Sequence, residues 1–194
     1  MLTHTNYVNN IAFSRDGKWL VTASRDKMAH LWDLRTNKEI RQFVGHLENI
    51  NWVTISPDNK WIATASDDYT AIMWDTATGK AVRRFVYTDR MMSAAFSPDS
   101  KMLVVSSDDG TIHFWTIATG LEFRRLEGHT EGINAIAFSP DGKWLASVAD
   151  DRTARLWMTN INELLSIAFS RIQRDPPLLL VAERRRFGFE EQAP

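Results

Sequence analysis

The sequence predicts an all-β protein built from four similar antiparallel sheets, and three markers with a common period predict it. The first marker is a tryptophan dipeptide, repeated after 42, 41 and 42 residues, at Trp32-Asp33, Trp74-Asp75, Trp115-Thr116 and Trp157-Met158. The second is an apolar residue followed by serine, at Phe13-Ser14, Ile55-Ser56, Phe96-Ser97 and Phe138-Ser139. The third is a histidine, at His4, His46 and His129. Self-similarity with this period is typical of the blades of a β-propeller.

Each period divides into four short strands that are separated by polar turns. In the first period the segments are VNNIAFS, WLVTAS, MAHLW and EIRQFV, with turn residues such as Asp, Gly and Asn between them. Short runs of this composition bounded by turn residues are typical of hairpins. The pattern places the repeats at residues 1–44, 45–86, 87–127 and 128–158. A single sheet of this size cannot bury both of its faces, so we expect the sheets to stack.

The shared markers resemble the WD40-repeat family over residues 1–158. Blades of that family contain a buried hydrogen-bonded set, here called the tetrad, of His, Ser or Thr, Asp and Trp. The resemblance assigns the tetrads to His4, Thr22, Asp26 and Trp32, to His46, Thr64, Asp68 and Trp74, and to His129, Ser147, Asp151 and Trp157.

The third repeat departs from this pattern, because Thr88 replaces the histidine and Val105 replaces the hydroxyl residue. Only Asp109 and Trp115 of the tetrad then remain. An incomplete buried polar network stabilises a loop poorly. We therefore expect the third blade to be the least rigid, with a loosely held loop at residues 87–91.

Composition and charge exclude several classes of function. A net charge of −1 gives no basis for a nucleic-acid or membrane partner. The chain contains no cysteine, which fits a reducing compartment and predicts a cytoplasmic location. The N-terminus lacks the features of a secretory signal, and no apolar run is long enough for a transmembrane helix.

The sequence predicts no catalytic residues, no metal site and no cofactor. A Ser/Thr-His-Asp set occurs in three repeats, but always within one blade and without a nucleophile-elbow glycine pattern. The acidic pairs such as Asp67-Asp68 suggest metal binding or glycoside hydrolysis, yet the second aspartate of each pair belongs to a tetrad. The tetrad histidines have the spacing of the blades rather than that of metal ligands. An enzyme built on propeller blades is therefore the weaker alternative.

Binding remains as the favoured function, and the resemblance indicates the face that is used. The family commonly binds partners through the loop before the first strand of a blade and the turn between its second and third strands. The matching positions are Tyr7, Asn9, Arg25, Asn49, Asn51, Asp67, Met91, Ser93, Asp108, Gly132, Asn134 and Asp150. These residues form a polar, mildly negative rim. We interpret the chain as a non-catalytic protein-interaction scaffold or ligand-sensing module, whose protein or peptide partner carries basic or hydrogen-bonding groups.

The segment at residues 159–194 lacks the period and predicts a short helical tail. Asn162 can cap one helix, and Pro177 and Gly188 suit the start and end of a second. The tail is similar to segments that close WD40-repeat arrays in bacterial multidomain signalling proteins. The alternative interpretation is therefore the sensor region of a bacterial signalling ATPase, kinase or protease.

The fourth repeat lacks a fourth strand, since the strand pattern stops at Trp157. We therefore expect an open or partial propeller that is the C-terminal part of a larger one. Blades of this type are wedges suited to about seven in a ring. Four of them would expose apolar faces at both ends, which predicts self-association.

Overall fold

The computed structural model describes residues 3–159, and this part of the chain consists of β-strands and turns without an α-helix. It lies within one compact unit, Met1–Thr159. The strands form three four-stranded sheets and one three-stranded sheet, and the strands follow chain order in each. The all-β prediction is therefore confirmed, and the fourth sheet has three strands among the described residues. The predicted helical tail lies outside them.

The four sheets, called blades 1 to 4, are antiparallel meanders. Blade 1 contains β1 Val8–Phe13, β2 Trp19–Ser24, β3 Met28–Asp33 and β4 Lys38–Val44. Blade 2 contains β5 Ile50–Ile55, β6 Trp61–Ser66, β7 Thr70–Asp75 and β8 Ala81–Val86. Blade 3 contains β9 Met91–Phe96, β10 Met102–Ser107, β11 Ile112–Thr116 and β12 Glu122–Leu126. Blade 4 contains β13 Ile133–Phe138, β14 Trp144–Ala149 and β15 Ala154–Met158.

The apolar-serine marker corresponds to the turn between the first and second strands of each blade. In blade 1 the Ser14 hydroxyl donates to Asp16 Oδ1 at 2.7 Å and accepts the Trp19 backbone N–H at 2.9 Å. Gly17 closes the turn with a φ of 68°, a left-handed conformation that glycine adopts without strain. The equivalent serine and aspartate make the same bond in the other three blades. A recurring turn of this kind fixes the register of each hairpin.

Adjacent blades pack face to face, and these contacts form the core. Between blades 1 and 2, the buried side chains of Leu31 and Phe43 belong to the same cluster as Val53, Ile72 and Trp74. The ring centroids of Phe43 and Trp74 lie 5.7 Å apart. Equivalent clusters join blade 2 to blade 3 and blade 3 to blade 4. The apolar face of one blade is thus buried by the next, as the stacking argument predicts.

An arginine on the fourth strand of each complete blade connects it to the next blade. The guanidinium of Arg41 donates to the carbonyl oxygens of Ala77 and Thr78, at 2.5 and 2.9 Å. Arg83 and Arg124, which occupy the same register in their own blades, repeat this contact. Their acceptors are the carbonyl oxygens of Ala118, Met158 and Thr159. These arginines form a series of polar clamps outside the apolar core.

Apolar side chains are exposed on the two terminal blades. In blade 1, Ile11 and Phe13 are 53% and 61% exposed, whereas their equivalents in blade 2, Val53 and Ile55, are buried. In blade 4, Leu156 is 71% exposed, whereas its equivalent Leu31 in blade 1 is buried. Within residues 3–159 the arrangement is therefore open. Among the same residues no helix has the length and apolarity required to cross a membrane.

We predict that Arg41→Met lowers the free energy of unfolding by about 1 kcal/mol, because two hydrogen bonds from a charged group to a neighbouring blade are lost. Urea denaturation followed by tryptophan fluorescence measures the change. The matched control is Arg125→Met, since Arg125 contacts Glu127 in an exposed ion pair of the kind that contributes little. Equal effects of the two substitutions would contradict a clamp between blades.

Candidate functional site

The tetrad of blade 2 forms one continuous chain of hydrogen bonds. The Trp74 indole N–H donates to Thr64 Oγ1 at 2.9 Å, and Thr64 Oγ1 lies 2.7 Å from His46 Nε2. His46 Nδ1 lies 2.8 Å from Asp68 Oδ2. An ionised carboxylate only accepts, so Nδ1 carries a proton, and a neutral imidazole then accepts the Thr64 hydroxyl proton at Nε2. Every polar atom in the chain of bonds thereby has a partner.

Blades 1 and 4 repeat this geometry with their own residues. His4 bridges Asp26 and Thr22 at 2.9 and 2.6 Å, and Trp32 donates to Thr22 at 2.9 Å. In blade 4 the corresponding distances are 2.7, 2.7 and 2.8 Å, among His129, Asp151, Ser147 and Trp157. The structure thus brings together the residues that the resemblance assigned to these three tetrads. Their contribution to stability stays a prediction.

The aspartates of the tetrads are held in the ionised form. Burial opposes the ionisation of Asp68, but hydrogen bonds from His46 and Thr70 outweigh it and lower the pKa of this carboxyl group. In blade 4 the hydroxyl of Thr153 and the imidazole of His129 lower the pKa of Asp151 in the same way. The backbone N–H of Leu47 also donates to Asp68, at 2.9 Å. The carboxylate therefore fastens the loop before the first strand to the rest of the blade.

Blade 3 places Tyr87, not Thr88, where the other blades have the tetrad histidine. The histidine precedes its tryptophan by 28 residues in the other repeats, and counting back 28 residues from Trp115 gives Tyr87. The Tyr87 and Trp115 rings meet edge to face at 5.9 Å, as the His46 and Trp74 rings do at 6.3 Å. The assignment of this position to Thr88 was therefore wrong. A repeat one residue shorter displaced the alignment, and counting from the tryptophan would have found Tyr87.

A different polar network replaces the missing tetrad bonds in blade 3. Tyr87 donates its hydroxyl to Glu122 at 2.9 Å, and the other carboxylate oxygen of Glu122 lies 2.8 Å from His113 Nδ1. His113 Nε2 lies 2.6 Å from the Thr111 hydroxyl, which in turn lies 2.5 Å from Asp109 Oδ1. Burial, and then Glu122, raises the pKa of Tyr87. Among these groups the indole N–H of Trp115 has no hydrogen-bond partner.

The loop of blade 3 is thus attached at both of its ends. Tyr87 bonds Glu122 at one end, and at the other the guanidinium of Arg90 donates to Asp108 at 2.5 Å. The expectation of a loosely held loop at residues 87–91 did not include these contacts. Whether its amides exchange faster than those of the corresponding loop in blade 2 stays a prediction.

Blade 1 brings together two histidines and an aspartate that lie apart in the sequence. One ligand atom each of His4, Asp26 and His30 lies within 4.8 Å of the others. The two imidazole centroids are 4.1 Å apart, and the His30 ring stacks on Trp32. Burial and the neighbouring His4 lower the pKa of His30. Histidine spacing in the sequence does not reveal this cluster, because strand pairing places His30 opposite Thr22, whose hydroxyl contacts His4. The absence of a metal site stays a prediction.

The predicted rim contains two carboxylates that are held by amides. The side-chain amides of Asn49 and Asn51 donate to the two oxygens of Asp67, at 3.1 and 2.7 Å. The amide of Asn134 donates to Asp150 at 2.5 Å. Asn51 and Asn134 lie at bulges in the first strands of blades 2 and 4, which allows them to reach the turn between the second and third strands. These amides orient the carboxylates without neutralising their charge.

The remaining charges of the rim have cationic or aromatic partners. Asp108 is paired with Arg90, and this hydrogen bond raises the pKa of the guanidinium. Arg25 donates to Asn9 at 3.1 Å and lies over the ring of Tyr7, 5.6 Å from its centroid. The Asn9 amide in turn donates to the Ile50 carbonyl of blade 2. The rim therefore carries a positive charge in blade 1, a neutral ion pair in blade 3, and negative charges at Asp67 and Asp150 of blades 2 and 4.

Three residues that the sequence assigned to the rim are not accessible. Met91, Ser93 and Gly132 are buried, and the Ser93 hydroxyl accepts the Ile136 backbone N–H of the next blade. The same one-residue shortening explains part of the error, because the bulge of blade 3 lies at Met92. Gly132 lies against the Asp108 carboxylate, with no room for a side chain. These three positions are corrected from partner contacts to interior ones, and Arg90 and Met92 take the place of Met91 and Ser93.

Comparisons with known proteins agree with the geometry. The model of the WD domain, G-beta repeat, matches residues 1–33, 37–75, 79–116 and 120–158. Nuclear distribution protein nudF of Aspergillus niger is 39% identical over 41 residues, or 21% of this chain and 9% of that protein. The Notchless protein homolog of Arabidopsis thaliana is 43% identical over 44 residues, or 23% and 9%. Target of rapamycin complex subunit wat1 of Schizosaccharomyces pombe is 48% identical over 40 residues, or 21% and 13%. The matched part thus spans a small share of each relative.

We predict opposite effects for two substitutions at equivalent positions, Thr64 and Val105, both of which are fully buried. Thr64→Val removes the acceptor of the Trp74 indole and the partner of His46, and is expected to cost about 2–3 kcal/mol of unfolding free energy. Val105→Thr gives the Trp115 indole an acceptor and is expected to stabilise by up to about 1 kcal/mol. Chemical denaturation measures both, and destabilisation by Val105→Thr as large as that by Thr64→Val would contradict the role of the hydroxyl.

We also predict that Tyr87→Phe accelerates amide exchange at residues 87–91 by about fivefold, since the loop loses its hydrogen bond to Glu122. Hydrogen exchange read by mass spectrometry measures this, with Tyr69→Phe as the control because the Tyr69 side chain is half exposed. Unchanged exchange in Tyr87→Phe would show that Glu122 does not hold the loop.

Proposed function

The chain belongs to the WD40-repeat family, and from this premise we propose that it is a non-catalytic protein-interaction module that binds a partner on its rim. The partner is a protein segment that presents lysine or arginine side chains. The printed name of the Schizosaccharomyces pombe relative describes a subunit of a complex, which is consistent with a role in assembly. Repeated blades that present one row of loops suit an extended partner.

The proposal rests on the ways in which the carboxylates of Asp67 and Asp150 are held. Both carboxylates are fixed by asparagine amides, and neither has a cationic side chain within 4 Å among residues 3–159. Asp108, which lies between them in chain order, is already neutralised by Arg90. The rim therefore offers two oriented negative charges, separated by a neutral pair. Oriented charges favour a complementary partner and discriminate against an acidic one.

The hydroxyl, imidazole and carboxylate of a tetrad are poorly suited to catalysis. The Thr64 side chain is fully buried and its oxygen already accepts the indole N–H of Trp74. A nucleophile must reach the substrate and pass its proton to a base along an open path. In the tetrad the same groups are occupied by bonds within the blade. A structural role therefore accounts for them better than a hydrolytic one.

Other expectations from the sequence stay predictions. A cytoplasmic location rests on the absence of cysteine. Self-association rests on the exposed apolar side chains of blades 1 and 4. The similarity to bacterial signalling sensors rests on the tail, which lies outside the described residues.

The test compares two fluorescently labelled short peptides, one rich in lysine and arginine and the other with the charges reversed, by fluorescence anisotropy. We expect the basic peptide to bind the native chain and the acidic peptide not to bind. The double variant Asp67→Asn, Asp150→Asn should weaken binding of the basic peptide by about tenfold, because two charge pairs are lost. Higher salt should weaken binding to the native chain as well.

The control is the double variant Asp58→Asn, Asp141→Asn, which removes the same charge from turns between the first and second strands, away from the rim. It should leave the affinity for the basic peptide unchanged. Equal loss of affinity in both double variants would mean that net charge alone attracts the peptide. Full affinity in the rim variant would overturn the proposed binding face.

A further inference from the structure

Blades 1 and 3 have a histidine on their third strand that their neighbours lack. His30 and His113 each precede the blade tryptophan by two residues, where blades 2 and 4 have Ile72 and Arg155. Each of these histidines also has a glutamate beside it, since Glu39 pairs with Trp32 as Glu122 pairs with Trp115. The two imidazoles nevertheless differ in their hydrogen bonds, since His113 has partners at both ring nitrogens and His30 has none.

The difference lies in one hydroxyl group. In blade 3 the Thr111 hydroxyl lies between His113 Nε2 and Asp109 Oδ1 and contacts both. The equivalent residue of blade 1, four residues before the tryptophan, is Met28. Neither ring nitrogen of His30 has a hydrogen-bond partner, although the side chain is only 7% exposed. A buried imidazole whose two nitrogens make no hydrogen bond within the protein points to a ligand or solvent molecule as its partner.

The groups around the His30 imidazole are of the types that bind metal ions. The side chains of His4 and Asp26 are 2% and 5% exposed, and each contributes a ligand atom to the cluster with His30. Two imidazoles and one carboxylate form a donor set that suits Zn²⁺ and related divalent transition metals. We propose that His4, Asp26 and His30 of blade 1 form a binding site for a divalent transition metal ion of the Zn²⁺ type. This site goes beyond the partner-binding rim and does not depend on it.

The chemistry of binding follows from the hydrogen bonds of the tetrad. The proton between His4 Nδ1 and Asp26 Oδ2, which are 2.9 Å apart, is exchanged through solvent for one on His4 Nε2 as the ion takes its place, so the imidazole stays neutral and binds the ion through Nδ1. His4 Nε2 keeps its contact with Thr22, and Trp32 keeps its bond to the same hydroxyl. The tautomer of His4 therefore changes without net release of a proton, and Nε2–H donates to the Thr22 hydroxyl oxygen, which also accepts from Trp32.

His30 supplies the third ligand, oriented by Glu39. His30 Nδ1 lies 3.4 Å from Glu39 Oε2 without forming a hydrogen bond, so this carboxylate can accept from Nδ1 once Nε2 binds the ion. Tetrahedral coordination with bonds of about 2.1 Å places ligand atoms about 3.4 Å apart. The ligand atoms now lie within 4.8 Å of one another, so a modest inward movement of the imidazole closes the site. A water or a further group completes the coordination.

The test uses the full chain without an affinity tag, freed of metal by a chelator, with Co²⁺ as the probe and Zn²⁺ as the competitor. We expect one equivalent of Co²⁺ to give visible d–d absorption of a low-coordinate site, which Zn²⁺ abolishes. His30→Gln should lose this absorption. Met28→Thr should lose it as well, because the new hydroxyl bridges His30 and Asp26 as Thr111 bridges His113 and Asp109.

The control is His113→Gln in blade 3, which removes an imidazole from the same position of a blade and should leave the Co²⁺ spectrum unchanged. Circular dichroism shows whether each variant is folded. If His30→Gln does not fold, Met28→Thr still tests the proposal. No absorption in the native chain would mean that no metal ion binds beside His30, and it would overturn the proposal. Absorption that persists in folded His30→Gln or in Met28→Thr would place the ion elsewhere and overturn it too.

Discussion

Each sheet of this protein has two largely apolar faces that are buried only when sheets stack, and the rest of the structure depends on this constraint. Hydrogen bonds between strands satisfy the backbone within one blade, but a face is buried only by another blade. The contact of Phe43 with Trp74 shows how one face fits the next. Since every blade repeats the same two faces, stacking aligns the loops and turns of successive blades along one edge. The rim is therefore a consequence of core packing.

The polar groups of the tetrads are tolerated inside this packing because each belongs to a connected network. The tetrad satisfies an indole N–H, a hydroxyl and an imidazole in one chain of bonds, and the carboxylate also binds the backbone of a loop. Blade 3 reaches a similar result with Tyr87, Glu122 and His113. What the fold requires is thus a continuous set of donors and acceptors from the loop to the strands. Different residues can supply these donors and acceptors. Blade 3 nevertheless leaves the indole N–H of Trp115 without a hydrogen-bond partner.

Contacts that recur in every repeat could be predicted from the sequence, whereas contacts particular to one blade and the geometry between blades could not. Period and turn composition predicted the strands, and the family resemblance assigned the residues around Thr22, Thr64 and Ser147. Asp26 and His30 meet through strand pairing and loop closure, which spacing along the chain does not reveal. The clamp from Arg41 to Thr78 joins residues of different blades, and its geometry appears only after stacking. Tyr87 was missed because the third repeat is one residue shorter than the others. Counting forward from the previous histidine gives Thr88, whereas counting back from Trp115 gives Tyr87.

The rim and the blade contacts share atoms, which links binding to packing. The two protons of the Asn51 amide go to Asp67 on the rim and to the Met91 carbonyl of blade 3, at 2.7 and 3.1 Å. Asn9 likewise joins Arg25 to the Ile50 carbonyl of blade 2. The direction of a rim side chain is therefore set by the position of the adjacent blade. Asn134 makes only the rim contact among the bonds of the described residues, so its second proton remains for a neighbour. Packing of a further blade or chain against blade 4 would consequently orient Asp150 as firmly as blade 3 orients Asp67.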